Sequence, residues 1–566
     1  MDGQYDFIVI GAGASGAVHA SRLAHTPVAP SVLLVEAGGS NANAAHQSGA
    51  DRYNAACAGG SPMNWHYKTA PQTQLASQEI DYSRGKGLGG STSINFCGWT
   101  VGPRDDYDEW ASIVGDERFA WKNVKRVLKR ISNLDTRIPD QRLKNAINAN
   151  IADHSTKGNL DLTYGEAWLP DVGDIFSAAQ HAGHRINQDV NDGDPIGMGM
   201  GSVCIARGVR ATSASAYLSQ PPANLKIVVD APVARVLFDG QKRAIGVECI
   251  DGKCFAAGKE VILSGGALNT PKILKLSWVG PADELKSHKI PLVHDAPMVG
   301  DNLQDHCFST VGIVMKKDDS LPPGPPSQSP TPMGWFKLPS LTSSNEFQQL
   351  PSDVQRHIQR PTVPAMEIAT NITNITQHSP PSFLAYEPTY AESYFGAICL
   401  IMNPQSRGKV TLRSTDPRDP PLINPNFLTH AFDRRVFIDG TRELMRIQRA
   451  PIFASRTLKT LGPANDSDEA IWEHVKQNLR SSWHMSCTAA MGRSEKNAVV
   501  DSKFKVFGVE GLRVADLSVC PFLINAHTES AAYVLGELGA EVLAEEYGLG
   551  EVTITGRPDL QLKEKL

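Results

Sequence analysis

The sequence predicts an α/β fold built on a Rossmann-like parallel sheet, and two observations near its amino end carry that expectation. The first is an apolar β-run, Phe7 to Ile10, of the kind buried on both faces of a parallel sheet; it breaks directly into Gly11-Ala12-Gly13-Ala14-Ser15-Gly16, where a helix begins. The second is another apolar run, Ser31 to Val35, which ends on Glu36, twenty residues beyond the last of those glycines. Together they describe a strand-turn-helix-strand unit that binds a dinucleotide. Gly11 permits the tight turn and Gly13 lets a pyrophosphate approach the backbone. Gly16 allows close helix-strand packing. The N–H groups at the helix start, around Ala14 and Ser15, face the anion with the positive end of the helix dipole. Glu36, at the carboxyl end of the second strand, is placed to accept hydrogen bonds from the hydroxyls of an adenosine ribose.

At 566 residues the chain exceeds one simple core, so two domains or one large composite is expected. A formal net charge of −5 and scattered Lys and Arg give no electrostatic basis for nucleic acid or an anionic membrane as partner. Nine cysteines show neither paired CxxC spacing nor a dense framework, which favours reduced or buried thiols over a metal site. No apolar run reaches the length needed to span a bilayer, so a soluble protein is expected. The nucleotide strand starts within a few residues of Met1 and leaves no room for an export signal, so the expectation is a cytoplasmic location. Sequons at Asn371, Asn374 and Asn465 point the other way, toward secretion, only if a leader has been removed.

Ala37 to Ala58 is rich in Gly, Asn, Ala and Ser without a sustained period and is read as a surface excursion. From Arg84 to Trp99, small residues cluster so tightly that backbone must approach something flat or anionic, and Arg84 and Lys86 add positive charge. This stretch, GKGLGGSTSINFCGWTVGPRDDYD from Gly85, resembles the first signature of the glucose-methanol-choline (GMC) oxidoreductases, a family of flavoenzymes. Gly266 to Gly280 resembles the second signature, with one departure: Trp278 stands where the family has glycine. The matching segments run from the amino-terminal fingerprint to the carboxyl-terminal helix.

The resemblance implies an FAD-binding domain assembled from residues 1–155, 205–310 and 480–566, with an inserted α+β substrate-binding domain, antiparallel in its sheet, from 156–204 and 311–479. It implies cofactor contacts at Gly89, Gly90, Ser91, Asn95, Phe96, Cys97 and Gly98 beside Arg84, at Val233 for the adenine edge, and at Asp516 for the ribityl-phosphate portion. The runs Leu225 to Asp230, Val233 to Phe238 and Val261 to Ser264 are strands, the last breaking into Gly265-Gly266 before a helix. His306, in Val299 to His306, is assigned to structural support. From Lys316 to about Pro351 the chain is rich in Pro, Ser, Gly and Asp and reads as either a disordered linker or a lid, with a mobile loop over the pocket mouth the favoured reading. Tyr394 to Met402 reads as a buried strand, with Lys409 to Leu412 as its hairpin partner.

Two histidines, in Ser481 to Thr488 and Asn525 to Glu529, match the pair that the family places above the flavin. That match implies His484 and His527 as the catalytic residues, with His527 and Thr528 also beside the cofactor. Moving a hydride from an alcohol carbon to flavin N5 requires the hydroxyl proton to leave, and an imidazole with an ordinary pKa near 6.5 suits that work. The assignment made from the motif gives the base role to His484 and the oxygen-holding role to His527. Thr528 to Tyr547 has the composition of a helix whose amino end would meet the charge of a reduced flavin. Some relatives tether FAD covalently through a histidine in the first signature; here that position is Ile94, so noncovalent FAD is expected. The implied activity is oxidation of the CH–OH group of a small, apolar or aromatic alcohol, with oxygen or another electron acceptor and no oligomeric state specified. The alternative on the same fold is a non-redox FAD-containing lyase or cyclase.

Overall fold

The computed structural model describes residues 2–42, 60–150, 153–317, 330–370, 389 and 392–552. The first half of the chain supplies β1 (Gln4–Ile10), α1 (Ala14–Ala24), β2 (Val32–Val35), β3 (Gly197–Met200), β4 (Leu225–Val228), β5 (Val233–Phe238), β6 (Ala244–Cys249), β7 (Cys254–Leu263) and α2 (Gly266–Leu276). The second half supplies β8 (Cys307–Lys316), β9 (Pro332–Phe336), β10 (Met366–Thr370), β11 (Glu392–Ile401), α3 (Ala431–Gln448), β12 (Thr457–Leu461), β13 (Leu512–Val514) and α4 (Glu529–Glu546).

These strands form two large sheets. The first has the order β4-β2-β1-β7-β6-β5, with β13 also paired to β7. Its centre is parallel: β1 pairs with β2 and β7, and β7 with β13, all in the same direction. Phe7, Ile8 and Val9 have no exposed surface, as expected of a strand covered on both faces. One cover is a helix pair, α1 against α4. Gly16 sets the spacing between α1 and the turn before it, because a Cβ there would come within 1.9 Å of the Gly11 carbonyl oxygen. Gly11 itself has φ +97°, a backbone geometry that any other side chain would strain.

The second sheet runs Thr457–Leu461 (β12), β8, β11, β10, β9, β3 and Ile186–Asn187, with Arg480–Ser481 attached to β8. From β12 to β3 its pairings are antiparallel. Register decides which side chains look where. Phe308 pairs with Leu400, Glu367 with both Leu400 and Trp335, and Ala369 with both Ile398 and Met333. Cross-strand partners share a face, so all of these lie on one side of the sheet. Met366 and Cys399 lie on the other, against Gly440 of α3.

Two expectations are corrected here. Residues 330–351 are not a loop over a pocket mouth: Pro332–Phe336 is a fully buried strand of the second sheet, followed by the short helices Pro339–Thr342 and Asn345–Gln348. Met333, Trp335 and Phe336 outweigh the Pro and Ser content around them, and residues 318–329 of that segment lie outside the described residues. Lys409–Thr411 does form a hairpin, but with Leu422–Asn424 rather than with β11. Both edges of β11 are already taken, by β8 and β10. Most of the Ala37 to Ala58 excursion likewise lies outside the described residues.

Seven of the eight described cysteines are buried; Cys254 is partly exposed. Among the described residues no helix is long and apolar enough to cross a membrane.

Candidate active site

A single cavity of about 840 Å³ runs from the glycine turn of β1-α1 to the inner face of the second sheet. At its first end, Gly11, Gly13, Ala14 and Ser15 line the wall. A Cβ on Gly13 would meet nothing closer than the Gly90 Cα at 3.9 Å, so the missing side chain leaves open space where α1 begins. Gly13 caps α1 with no side-chain hydrogen bond and the first turn carries no acidic residue, so the positive end of the helix faces that space.

Glu36 also lines this end, and its carboxylate is already engaged. Oε2 accepts from the Ala12 N–H at 2.8 Å, and Oε1 from the N–H groups of Gly38 and Gly87, both at 2.9 Å. Burial pushes the Glu36 carboxyl up from its ordinary pKa, and these backbone N–H groups pull it back. The residue therefore ties the fingerprint turn to two later loops as well as presenting a carboxylate to the cavity. Val233, at the start of β5, stands on the same wall beside Ala231 and Ile250.

The glycine-rich first signature crosses the fingerprint turn. Gly90 has φ +51°, and a Cβ there would come to 2.7 Å from the Gly13 Cα. Ser91, Asn95, Phe96, Cys97 and Gly98 line the cavity, as does Arg84, which donates to the Trp483 carbonyl at 2.5 Å. Gly89 and Gly16 stand behind the wall and shape the backbone. Asp516 lines the cavity near the start of α2; its Oδ2 accepts from the Gly266 N–H at 2.8 Å and from Thr270 Oγ1 at 2.6 Å. Thr528 is buried at the N-terminus of α4. Next to it, Glu529 accepts from Asn95 Nδ2 at 2.7 Å, and burial pushes its carboxyl up to about 7.

His484 and His527 meet at the second-sheet end of the cavity, with ring centroids 5.2 Å apart and planes inclined by 41°. Sequence position separates them by a whole subdomain of loops, yet two backbone anchors fix them. The His484 N–H donates to Asp305 Oδ1 at 2.7 Å, and the His527 N–H to Thr100 Oγ1 at 2.8 Å. The wall beyond them is apolar: Phe96, Phe308, Met333, Ile398, Leu400 and the Trp483 ring.

Each histidine has a partner that the sequence did not identify as functional. His484 Nδ1 lies 3.0 Å from His306 Nδ1. His527 Nε2 lies 2.8 Å from Oε1 of Glu367, the second residue of β10, which has no exposed surface. The environments drive the pair apart. Burial, followed by His306, His527 and Arg84, holds His484 well below the ordinary histidine range. Burial also opposes the charged form of His527, but the Glu367 carboxylate and then Glu529 outweigh it, and the net shift is upward. His306 was legible as part of Val299 to His306 but read as structural. Glu367 left one signal, an acid between the apolar Met366 and Ile368 in a buried strand.

The residues present fit an FAD: a glycine turn open to an anion, a carboxylate at the end of the second parallel strand, and a continuous cavity from there to two imidazoles.

Comparison with known proteins gives the same direction. The family model described as GMC oxidoreductase matches in two parts, residues 5–308 and 404–536. The oxygen-dependent choline dehydrogenase of Stenotrophomonas maltophilia (strain R551-3) is 32% identical over 95% of both chains. That of Escherichia coli O17:K52:H18 (strain UMN026 / ExPEC) is 31% identical over 98% of this chain and 99% of its own. Among solved structures, a formate oxidase of Aspergillus oryzae RIB40 superposes with a TM-score of 0.83 at 25% identity, covering 96% of this chain and 99% of its own. These matches show that the chain belongs to the GMC oxidoreductase family of FAD-dependent enzymes.

Proposed function

We propose that this enzyme oxidises the CH–OH group of a small, apolar or aromatic alcohol, with noncovalently held FAD and with oxygen or another acceptor restoring the oxidised flavin. The observation that carries the reading is the histidine pair, 5.2 Å between ring centroids, at the apolar end of the cavity that begins at Glu36. When bound, FAD accepts the hydride from the alcohol carbon. The pair takes the hydroxyl proton and holds the oxygen, which is what an alcohol needs in order to give up hydride.

Toward the cofactor, the open N–H groups at Gly13, Ala14 and Ser15 suit the pyrophosphate. Glu36 suits the adenosine ribose, Val233 the adenine edge and Asp516 the ribityl-phosphate portion. Gly89, Gly90 and Ser91 carry the crossing backbone. Asn95, Phe96, Cys97, Gly98 and Thr528 surround the region next to His527 and fit the flavin ring. We divide the chain into an FAD-binding domain (1–155, 205–310, 480–566) and a substrate-binding domain (156–204, 311–479); the two sheets support this reading, except that β8 crosses the 310/311 boundary and Arg480–Ser481, assigned to the first domain, pairs with the second sheet.

The substrate class rests on the wall. Phe96, Phe308, Met333, Ile398 and Leu400 offer dispersion contacts and few hydrogen bonds, which suits an aryl or alkyl group better than a sugar. Choline is named for the relatives and serves as the comparison substrate.

Anaerobic mixing with aromatic, furanic, aliphatic and sugar alcohols and with choline tests the reaction. An aryl or alkyl alcohol is expected to bleach the yellow flavin fastest. Bleaching by choline or a sugar alone would overturn the substrate class, and a flavin that stays yellow with every alcohol would favour the non-redox chemistry. A second expected result concerns attachment: acid precipitation should release intact FAD into the supernatant, because Ile94 replaces the tethering histidine. Flavin that stays with the pellet would overturn that assignment.

A further inference from the structure

We infer that the two histidines divide the work in the reverse of the order their motifs suggest: His527, oriented by Glu367, takes the hydroxyl proton at Nδ1, while His484 donates from Nε2 to the substrate oxygen. This assignment rests on the reading above that an alcohol reacts at the pair.

Behind His484 stands His306. Burial, with His527 adding to it, drives the His306 imidazole down to about 3, so the ring is neutral and carries one N–H and one acceptor nitrogen. Its Nε2 is buried with no hydrogen-bond partner among the described residues, whereas its Nδ1 faces His484 Nδ1 at 3.0 Å. A proton on Nε2 would bury an N–H with no acceptor, and a buried donor left unpaired is rarer and costlier than an under-used acceptor. The proton therefore sits on Nδ1 and is donated to His484. A neutral His484 that accepts at Nδ1 must carry its own proton on Nε2, the nitrogen left for the cavity. His484 reaches the substrate as a donor, and its environment opposes a second proton.

His527 is wired the other way. Its Nε2 donates to Glu367 Oε1 at 2.8 Å, which leaves Nδ1 as a lone pair. Nδ1 borders Gly98, where an added Cβ would lie 3.1 Å from it, so the glycine keeps that edge of the ring clear. Glu367 is fixed between Trp335 and Leu400 in the second sheet, and its other oxygen has no partner among the described residues. A buried carboxylate behind an imidazole fixes the tautomer and stabilises the imidazolium that forms, the same service a carboxylate gives in hydrolytic triads. The charged and titratable groups around His527 are Glu367 on β10, Glu529 on α4 and His484 across the cavity; behind His484 stand His306, Arg84 and Asp305.

The step balances. The hydroxyl proton passes to His527 Nδ1, the O–H bonding pair becomes the second bond of the carbonyl, and the C–H pair leaves with its hydrogen as the hydride that oxidised FAD accepts. The Nε2–H of His484 stabilises the oxygen while it carries negative charge. Glu367 is a positioning residue, because it acts only through His527.

The test joins two measurements. Anaerobic stopped-flow across pH, with the fastest alcohol of the screen, should show reduction that rises as His527 loses its proton. Glu367→Gln removes the carboxylate that favours the imidazolium, so the rising limb should move to lower pH by about one to three units. His484→Ala should slow reduction by about 10²-fold and leave the limb where it is. Nitrogen-15 NMR of histidine-labelled resting enzyme, without substrate, should find His484 protonated at Nε2 and His527 titrating at Nδ1. A limb that stays put in Glu367→Gln, or one that vanishes in His484→Ala, would overturn the assignment, as would a resting His484 with a bare Nε2. If Glu367→Gln does not fold, the wild-type spectra decide. If no alcohol bleaches the wild-type flavin, the proposed reaction fails instead, and the spectra still report the tautomers.

Discussion

Replacing His527 with alanine is expected to leave FAD bound and to slow its reduction by alcohol by about 10²- to 10⁴-fold, the range for losing a general base. The fold should tolerate the change, because the anchor of this segment is the main-chain N–H donating to Thr100 and not the ring. Reduction should recover in part as pH rises, since solvent then supplies alkoxide. The variant leaves Glu367 buried with neither oxygen paired to a side chain among the described residues, and a carboxyl so placed takes up a proton. Adding Glu367→Gln to the His527→Ala background should therefore cost little more, although Glu367→Gln alone slows the enzyme. Such non-additivity is the mark of two residues acting as one unit. Stopped-flow on the FAD-loaded variants measures all four corners of this cycle. A His527→Ala enzyme that reduces its flavin at the wild-type rate would move the base elsewhere.

Glu36→Ala is expected to strip the enzyme of FAD. On the sequence alone the loss is that of hydrogen bonds to a ribose, typically about 1.5–3 kcal/mol for bonds to a charged group. The structure enlarges it. The same carboxylate accepts the N–H groups of Ala12, Gly38 and Gly87, so its removal leaves buried donors unpaired at about 1–3 kcal/mol each and loosens the turn that faces the pyrophosphate. Affinity for FAD should fall by at least about 10²-fold, which corresponds to about 2.7 kcal/mol. Reduction in protein reconstituted with excess FAD should stay near the wild-type rate, because Glu36 touches neither histidine. Retention of flavin through desalting, followed by single-turnover reduction, separates the two effects. Normal retention would count against the fingerprint reading.

The sequence by itself determined the parallel core and the glycine turn into α1, and it singled out the two histidines proposed for the chemistry. Each of these is written in local pattern: an apolar run followed by glycines at fixed spacing, an acid at the end of the next strand, small residues packed around His484 and His527. Backbone sterics and helix polarity act over a few residues, so a few residues suffice to show them. The tertiary structure alone brought each histidine to its partner. His306 and His484 are 178 residues apart, and Glu367 and His527 are 160 apart. Nothing local in β10 says that an acid between Met366 and Ile368 will face an imidazole rather than solvent. Nor does the Pro-rich composition around residue 330 reveal that Met333 and Trp335 will be drawn into the sheet on the cavity side. Strand register settled both. A shift of one residue in the pairing of β10 with β9 and β11 would turn Glu367 toward α3 and leave His527 without the carboxylate that fixes its tautomer, since side chains alternate faces along a strand.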